Sequence, residues 1–204
     1  MQRLEDLPFP TVAASNGYCL GGGLELAMAC RHRVCADDPK VTLGLPEVML
    51  GIHPGFGGTV RAVQLVGVAT AMDLMLTGKN LRPDKALRAG LVDEVVPASQ
   101  LHDAAKALVL RPRRHRKAPL SQRLLNLPLV RGLVAGKIES QVRRRARKEH
   151  YPAPYAIVDL WRRHGASRRT GYEAEAQSVA RLVCTPTSRN LVRVFFLQER
   201  LKAL

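Results

Sequence analysis

The stretch Gly17-Tyr18-Cys19-Leu20-Gly21-Gly22-Gly23-Leu24-Glu25 decides how the rest of the chain is read. Three consecutive glycines leave the backbone free to turn sharply and to lie against a ligand. The apolar run that follows, Leu24 through Cys30, predicts a buried helix over 24–31. The first N–H groups of a helix lack internal partners and point outward with partial positive charge. A developing enolate or oxyanion placed there is stabilised. Glu25 falls in the first turn, beside those donors. A second carboxylate, Glu47, follows Pro46 in Leu45-Pro46-Glu47, ahead of another glycine-rich stretch from Gly51 to Gly58. Each feature alone has an ordinary structural explanation. Glycines make turns, a first-turn Glu suits the helix dipole, and Pro-Glu opens helices. The residues by themselves give a candidate oxyanion site with two carboxylates of unknown separation.

Outward from this stretch, 10–15 reads as a short buried strand, 33–36 as the next and 41–43 as a third. Asn16-Gly17 and Asp37-Asp38-Pro39 are the turns. Strand, helix, strand points to α/β layers rather than a bundle. Thr59 is placed to cap a helix over 60–66. Helices over 69–76 and 84–89 close at Gly78 and Gly90, and Met72 and Met75 read as core packing. A strand over 91–96 ends at Pro97, and Ser99 opens a helix to about residue 110. After a charged connector over 111–119, helices are expected over 120–126, 129–149, 155–164, 173–182 and 188–201. Gly51 to Gly58 is neither a P-loop, since no Gly-Lys-Ser/Thr follows, nor a dinucleotide fingerprint. No NAD site is expected in this chain.

With 204 residues and 46% hydrophobic content, the chain can bury one sizeable core with a helical appendage. Charge is uneven. Residues 1–100 carry 9 basic against 10 acidic side chains, and residues 101–204 carry 23 against 7. That shift divides the chain into 1–110, a core, and 111–204, a basic helical extension. Basic runs at Arg111 to Lys117 and Arg143 to Lys148 are solvated faces or a surface for polyanions. No apolar run reaches the length of a membrane span, and the first residues lack a signal-peptide stretch, so cytoplasm is the default. Cys19, Cys30, Cys35 and Cys184 form no Cys-x-x-Cys pair and read as reduced core residues. Cys30, His32 and Cys35 fit no common zinc spacing, so no metal is expected.

Gly-Tyr-Cys-Leu-Gly-Gly-Gly-Leu-Glu, then Leu-Pro-Glu, then Leu50-Gly-Ile-His-Pro-Gly-Phe-Gly-Gly-Thr-Val-Arg61 resemble the crotonase (enoyl-CoA hydratase/isomerase) superfamily. The likeness continues through Leu76 to Lys79 and Ala89 to Pro97. It is strong over residues 9–97, looser afterwards, and leans towards the alpha subunit of the bacterial fatty acid oxidation complex.

The resemblance implies an α/β spiral of strand-strand-helix units with helices added at the C-terminus. It implies hydration of a 2-enoyl-CoA to a 3-hydroxyacyl-CoA in fatty acid β-oxidation, with Δ3-Δ2-enoyl-CoA isomerisation as a second capacity of the same site. Glu25 and Glu47 are then the catalytic pair. Gly22, with Gly21, Gly23 and Leu24, gives the oxyanion and substrate-binding segment, and Pro46 and Gly55 line the substrate pocket. No cofactor is implied beyond the coenzyme A of the substrate, which is itself a polyanion and suits the basic half. NAD belongs to a 3-hydroxyacyl-CoA dehydrogenase domain that the resemblance places beyond residue 204. The partners implied are an acyl-CoA, a thiolase beta subunit and further copies in an oligomer; nucleic acid is not expected. The second oxyanion donor of the family lies upstream, and this chain begins only 24 residues before Glu25. The expectation is therefore a chain truncated at both ends, with doubtful activity alone. The alternative is a non-catalytic module that binds polyanions through the basic helices.

Overall fold

The computed structural model describes residues 1–203. A short helix α1 (Gln2–Glu5) leads into two strands of different sheets, β1 (Val12–Ser15) and β2 (Tyr18–Leu20), and then into α2 (Gly22–Ala29). The unit repeats as β3 (His32–Ala36) and β4 (Thr42–Gly44), followed by a 3₁₀ turn at Pro46–Leu50. Next come α3 (Gly58–Val66), α4 (Val68–Thr77), β5 (Asn80–Leu81), α5 (Pro83–Ala89), β6 (Glu94–Val96) and α6 (Leu101–Leu110). The remaining helices are α7 (Leu120–Leu124), α8 (Pro128–Arg145), α9 (Ala153–His164), α10 (Arg168–Val183) and α11 (Pro186–Lys202).

One sheet has the order β1-β3-β6 and is parallel throughout, with Ala14 opposite Val34 and Cys35 opposite Val95. The other has the order β2-β4-β5, parallel at Cys19 opposite Leu43 and antiparallel at Leu43 opposite Leu81. From β1 to β4 successive strands alternate between the two sheets, as a spiral requires; β5 then stays in the sheet of β4, and β6 returns to the first. Every residue of β3 is buried, the polar His32 and Arg33 included, so the strand shows no alternation of a core face and a solvent face. Of these two, Arg33 is satisfied: its guanidinium donates to Leu91 O at 2.9 Å, Cys30 O at 2.8 Å and Asp93 Oδ2 at 2.9 Å, whereas neither ring nitrogen of His32 has a hydrogen-bond partner among the described residues. Removing Asp93 would leave a buried charge without its counter-ion, a loss of about 3–5 kcal/mol.

The buried cluster runs from Leu24, Val34, Leu43 and Met75 through Val142, Ile157, Trp161 and Leu182. The helices after residue 110 therefore close the same core that the strands open. Met72 and Met75 lie inside it, as their sequence position implies.

Several boundaries depart from the sequence reading. β2 was not foreseen, because its three residues precede the glycines and look like part of the turn. The strand expected over 91–96 is ordered as strand only from Glu94, since Leu91 and Val92 wrap the end of α5, their N–H groups returning to Ala86 O. Ser99 lies within a 3₁₀ turn, Ala98–Gln100, ahead of α6. α11 begins at Pro186 because Thr185 caps it, its hydroxyl oxygen accepting from Ser188 N–H at 3.2 Å. Cys19, Cys30 and Cys35 are buried, and burial raises their thiol pKa values, that of Cys35 to about 11. Cys184 is exposed at the end of α10, not a core residue. No helix among the described residues is long and apolar enough to cross a membrane.

Candidate active site

Glu25 lies on α2 with 1% exposure. Its Oε1 accepts from the backbone N–H groups of Phe56 and Gly58, each at 2.7 Å. The loop approaches this closely because Gly58 has no side chain. A Cβ there would stand 2.7 Å from that oxygen and 2.6 Å from the Pro54 ring. Burial pushes the Glu25 pKa up; the loop N–H groups and the Arg61 charge pull it back.

Glu47 sits in the 3₁₀ turn that Pro46 opens. Both of its carboxylate oxygens are buried, and neither has a hydrogen-bond partner among the described residues. Oε1 lies 3.2 Å from the position a Cβ would take on Gly21, whose φ of +53° forms the sharp entry to α2. Burial, first, pushes the Glu47 pKa up to about 7; its own backbone N–H pulls against this, and the charges of Glu25 and Glu175 add to the rise.

The entry to α2 also leaves donors free. Among the described residues nothing accepts from the N–H groups of Gly22, Gly23 and Leu24; the first helical bond runs from Glu25 N–H to Gly21 O. A side chain added at Gly23 would meet open space, and one at Gly22 would meet the Phe56 ring at 3.6 Å. Leu24 is fully buried, whereas Gly22 is half-buried and Gly23 exposed, so the donors open to a ligand are those of the two glycines. The entry to α2 thus carries an anchored carboxylate and a set of unpaired helix N–H groups, and the 3₁₀ turn sets the unpartnered Glu47 carboxylate against Gly21 at that entry. This arrangement can move a proton between a carbon and an oxygen while stabilising negative charge on a carbonyl.

Residues 1–147 match the enoyl-CoA hydratase/isomerase family. The chain belongs to this family. A carnitinyl-CoA hydratase from Mycobacterium avium is 26% identical over 93% of this chain and 60% of its own, with a TM-score of 0.60. An enoyl-CoA hydratase from the same organism is 28% identical over 85% and 62%, with a TM-score of 0.52. An enoyl-CoA hydratase from Rhodobacter sphaeroides 2.4.1 has a TM-score of 0.68 over 97% and 63% at 22% identity, a likeness of fold alone. The chain spans about three fifths of the length of these solved structures. The architecture is the mixed α/β crotonase fold with a helical C-terminal region.

In this hydratase/isomerase family member the segment at Pro46 and Gly55 is placed as follows. Pro46 opens the turn that carries Glu47. Gly55 precedes the loop that grips Glu25 and packs on α10, where a Cβ would meet Val179 at 2.8 Å. With Phe56, Arg61, Tyr172 and Glu175 it lines a cleft of about 520 Å³. Two clefts of about 660 and 620 Å³ lie away from the glutamates, one beside Gln64 and Arg168, the other beside Met72 and Val142.

The sequence reading missed Glu175. It lies on α10 with 1% exposure and accepts from Gly57 N–H, from Thr59 N–H at 2.8 Å and from the Thr59 hydroxyl. Its pKa is pushed up to about 7, chiefly by burial, with the Glu25 charge adding to it. The helix expected to start with Thr59 as its cap begins instead at Gly58, with Gly57 at φ +100° before it. The physical reason is that two carboxylates from other helices occupy this N-terminus. They satisfy its N–H groups and complement its dipole better than a hydroxyl does. The signal was available: Glu175 lies three residues after buried Tyr172 and seven before buried Leu182, on the apolar stripe of its helix.

Proposed function

We propose that the protein is an enoyl-CoA hydratase that adds water across the double bond of a 2-enoyl-CoA to give a 3-hydroxyacyl-CoA. One observation carries the reading: Glu25 is anchored through Oε1 to two loop N–H groups, while Glu47, set against Gly21 at the entry to the same helix, has no partner and a pKa pushed up to about 7. Two carboxyls in such different surroundings divide acid and base work. In its protonated form Glu47 gives a proton to the α-carbon. Glu25, as carboxylate, takes a proton from the water whose oxygen bonds to the β-carbon. The thioester oxygen gains charge as the double bond is attacked, and the Gly22 N–H, with that of Gly23, supports that charge at the entry to α2. The carboxyls end the cycle with protonation exchanged, and solvent restores it.

Isomerisation of a 3-enoyl to a 2-enoyl thioester needs only one carboxyl to move a proton, and Glu47, unpaired and near neutrality, is equipped for it. A role in fatty acid β-oxidation, the likeness to the fatty acid oxidation alpha subunit, a thiolase partner, self-association and a cytoplasmic setting belong to the same proposal. In it, residues 1–110 carry the chemistry and 111–204 brace it. Hydration of crotonyl-CoA, followed by loss of the enoyl-thioester absorbance, tests the reading. Glu25→Gln and Glu47→Gln should each abolish most turnover while leaving the fold intact, and parental rates in both variants would refute it.

A further inference from the structure

Helix α10 lies along the loop that grips Glu25 and holds it at successive points. Ser178 Oγ lies 2.8 Å from His53 Nε2, while His53 Nδ1 lies 2.6 Å from Pro54 O. His53 is fully buried, and burial lowers its pKa to about 4, so it is neutral, donating from one ring nitrogen to Pro54 and accepting from Ser178 at the other. Val179 packs on Gly55. Glu175 takes Gly57 N–H, Thr59 N–H and the Thr59 hydroxyl. The Tyr172 ring lies 4.8 Å from the Arg61 guanidinium, whose Nη1 donates to Phe56 O at 2.6 Å. The close approach depends on Gly171, where a Cβ would stand 2.6 Å from Val60.

The loop donors alternate. Phe56 and Gly58 point to Glu25 on α2; Gly57 and Thr59 point to Glu175 on α10. The two carboxylates thus hold opposite sides of one short segment, and neither can shift without the other's donors turning.

We propose that Glu175 is a positioning residue for Glu25: by fixing Gly57 and Thr59 it sets the direction of the Phe56 and Gly58 N–H groups, and through them the place of the Glu25 carboxylate. This deepens the proposed hydratase reading and, for its kinetic part, rests on it. Helix α10, in the basic half of the chain, is then a working wall of the site. A helix cap of purely structural value would lower stability and leave the chemistry of folded molecules unchanged. A positioning role changes kcat.

Two variants are compared with the parent. Glu175→Gln keeps the length but replaces one accepting oxygen by an NH₂ that cannot accept. Thr59→Val removes one of three donors at constant volume and serves should the first variant fold poorly. The physical readout is amide exchange at Phe56 and Gly58, which Glu175 does not touch. Their exchange should quicken about tenfold or more in Glu175→Gln, and less in Thr59→Val, while β3 amides keep parental rates. Unchanged exchange at Phe56 and Gly58 would overturn the proposal. The kinetic readout is crotonyl-CoA hydration. In Glu175→Gln kcat should fall about 10- to 100-fold with KM within about twofold, as for a catalytic group displaced by a fraction of an ångström. Parental kcat in a folded variant would also overturn it. A parent protein without hydratase activity would sink the functional reading, and the exchange result then decides the positioning role by itself.

Discussion

Helices α8 and α10 both belong to the basic half of the chain, yet the molecule uses them in opposite ways. α10 buries Gly171, Tyr172, Glu175, Ser178 and Leu182 on one face and reaches the carboxylate loop with three of them. α8 buries only Ala135 and Val142; Leu129 and Leu133 are 89% and 80% exposed, and Arg143 to Arg145 extend its last turn. The difference teaches that net charge does not separate site from appendage here. What separates them is whether a helix carries a polar group on its apolar stripe. α10 does, at Glu175, and that residue is where the helix meets the site.

The largest expected effects fall at Glu25, which α10 braces through the shared loop, and at Glu47. Glu25→Gln and Glu47→Gln should each lower kcat for hydration by about 10²–10⁴-fold, the range of a lost general acid or base, with circular dichroism unchanged. A smaller loss in one of them than in Glu175→Gln would reverse the ranking of chemistry over support. Next, Gly58→Ala should lower both activity and melting temperature, because its Cβ would enter the space of Glu25 Oε1 and Pro54. Full activity in that variant would show that the loop yields without moving Glu25.

A third expectation is thermodynamic and runs in the other direction. Glu47 has a folded-state pKa of about 7, raised above its ordinary 4.5. A raised pKa gives stability that is fully present below the unfolded value, near 4.5, and is lost as pH climbs through about 7. Glu47→Gln should therefore be close to neutral at pH 4.5 and stabilising at pH 8, on the order of 2 kcal/mol, since it removes a buried charge that has no partner. Denaturant melts at the two pH values read this directly. A variant less stable than the parent at pH 8 would mean that Glu47 is paired in solution. The smallest effect belongs to α8. Leu133→Ser, at a position open to solvent, should change stability by no more than about 0.5 kcal/mol and leave hydration alone. A large loss there would make α8 a second supporting wall.

Much of this was legible in the sequence because it rests on local rules. The glycines before Leu24, the proline before Glu47, and the stops at Gly78 and Gly90 each act within a few residues, and the structure shows them where expected. The short strand expected over 33–36 lies within β3, and the helices after residue 110 follow from apolar spacing. What was hidden depends on partners far along the chain. Thr59 looked like a cap because Ser and Thr cap helices locally; the actual capping groups come from Glu25, 33 residues before Gly58, and from Glu175, 116 residues after Thr59. Likewise the contrast between Glu25 and Glu47 cannot be read from their motifs. It arises from which loop reaches each carboxylate: the segment at Phe56 to Gly58 reaches one and stops short of the other.

That contrast is the centre of the account, and separate titration of the two carboxyls tests it most directly. Glutamate labelled with ¹³C at the carboxyl carbon, assigned through Glu25→Gln and Glu47→Gln, reports both midpoints in the folded protein. The account predicts that Glu47 titrates near pH 7 and Glu25 below it, held as carboxylate by the Phe56 and Gly58 N–H groups. A Glu47 midpoint at the ordinary glutamate value, or a Glu25 midpoint above that of Glu47, would contradict it.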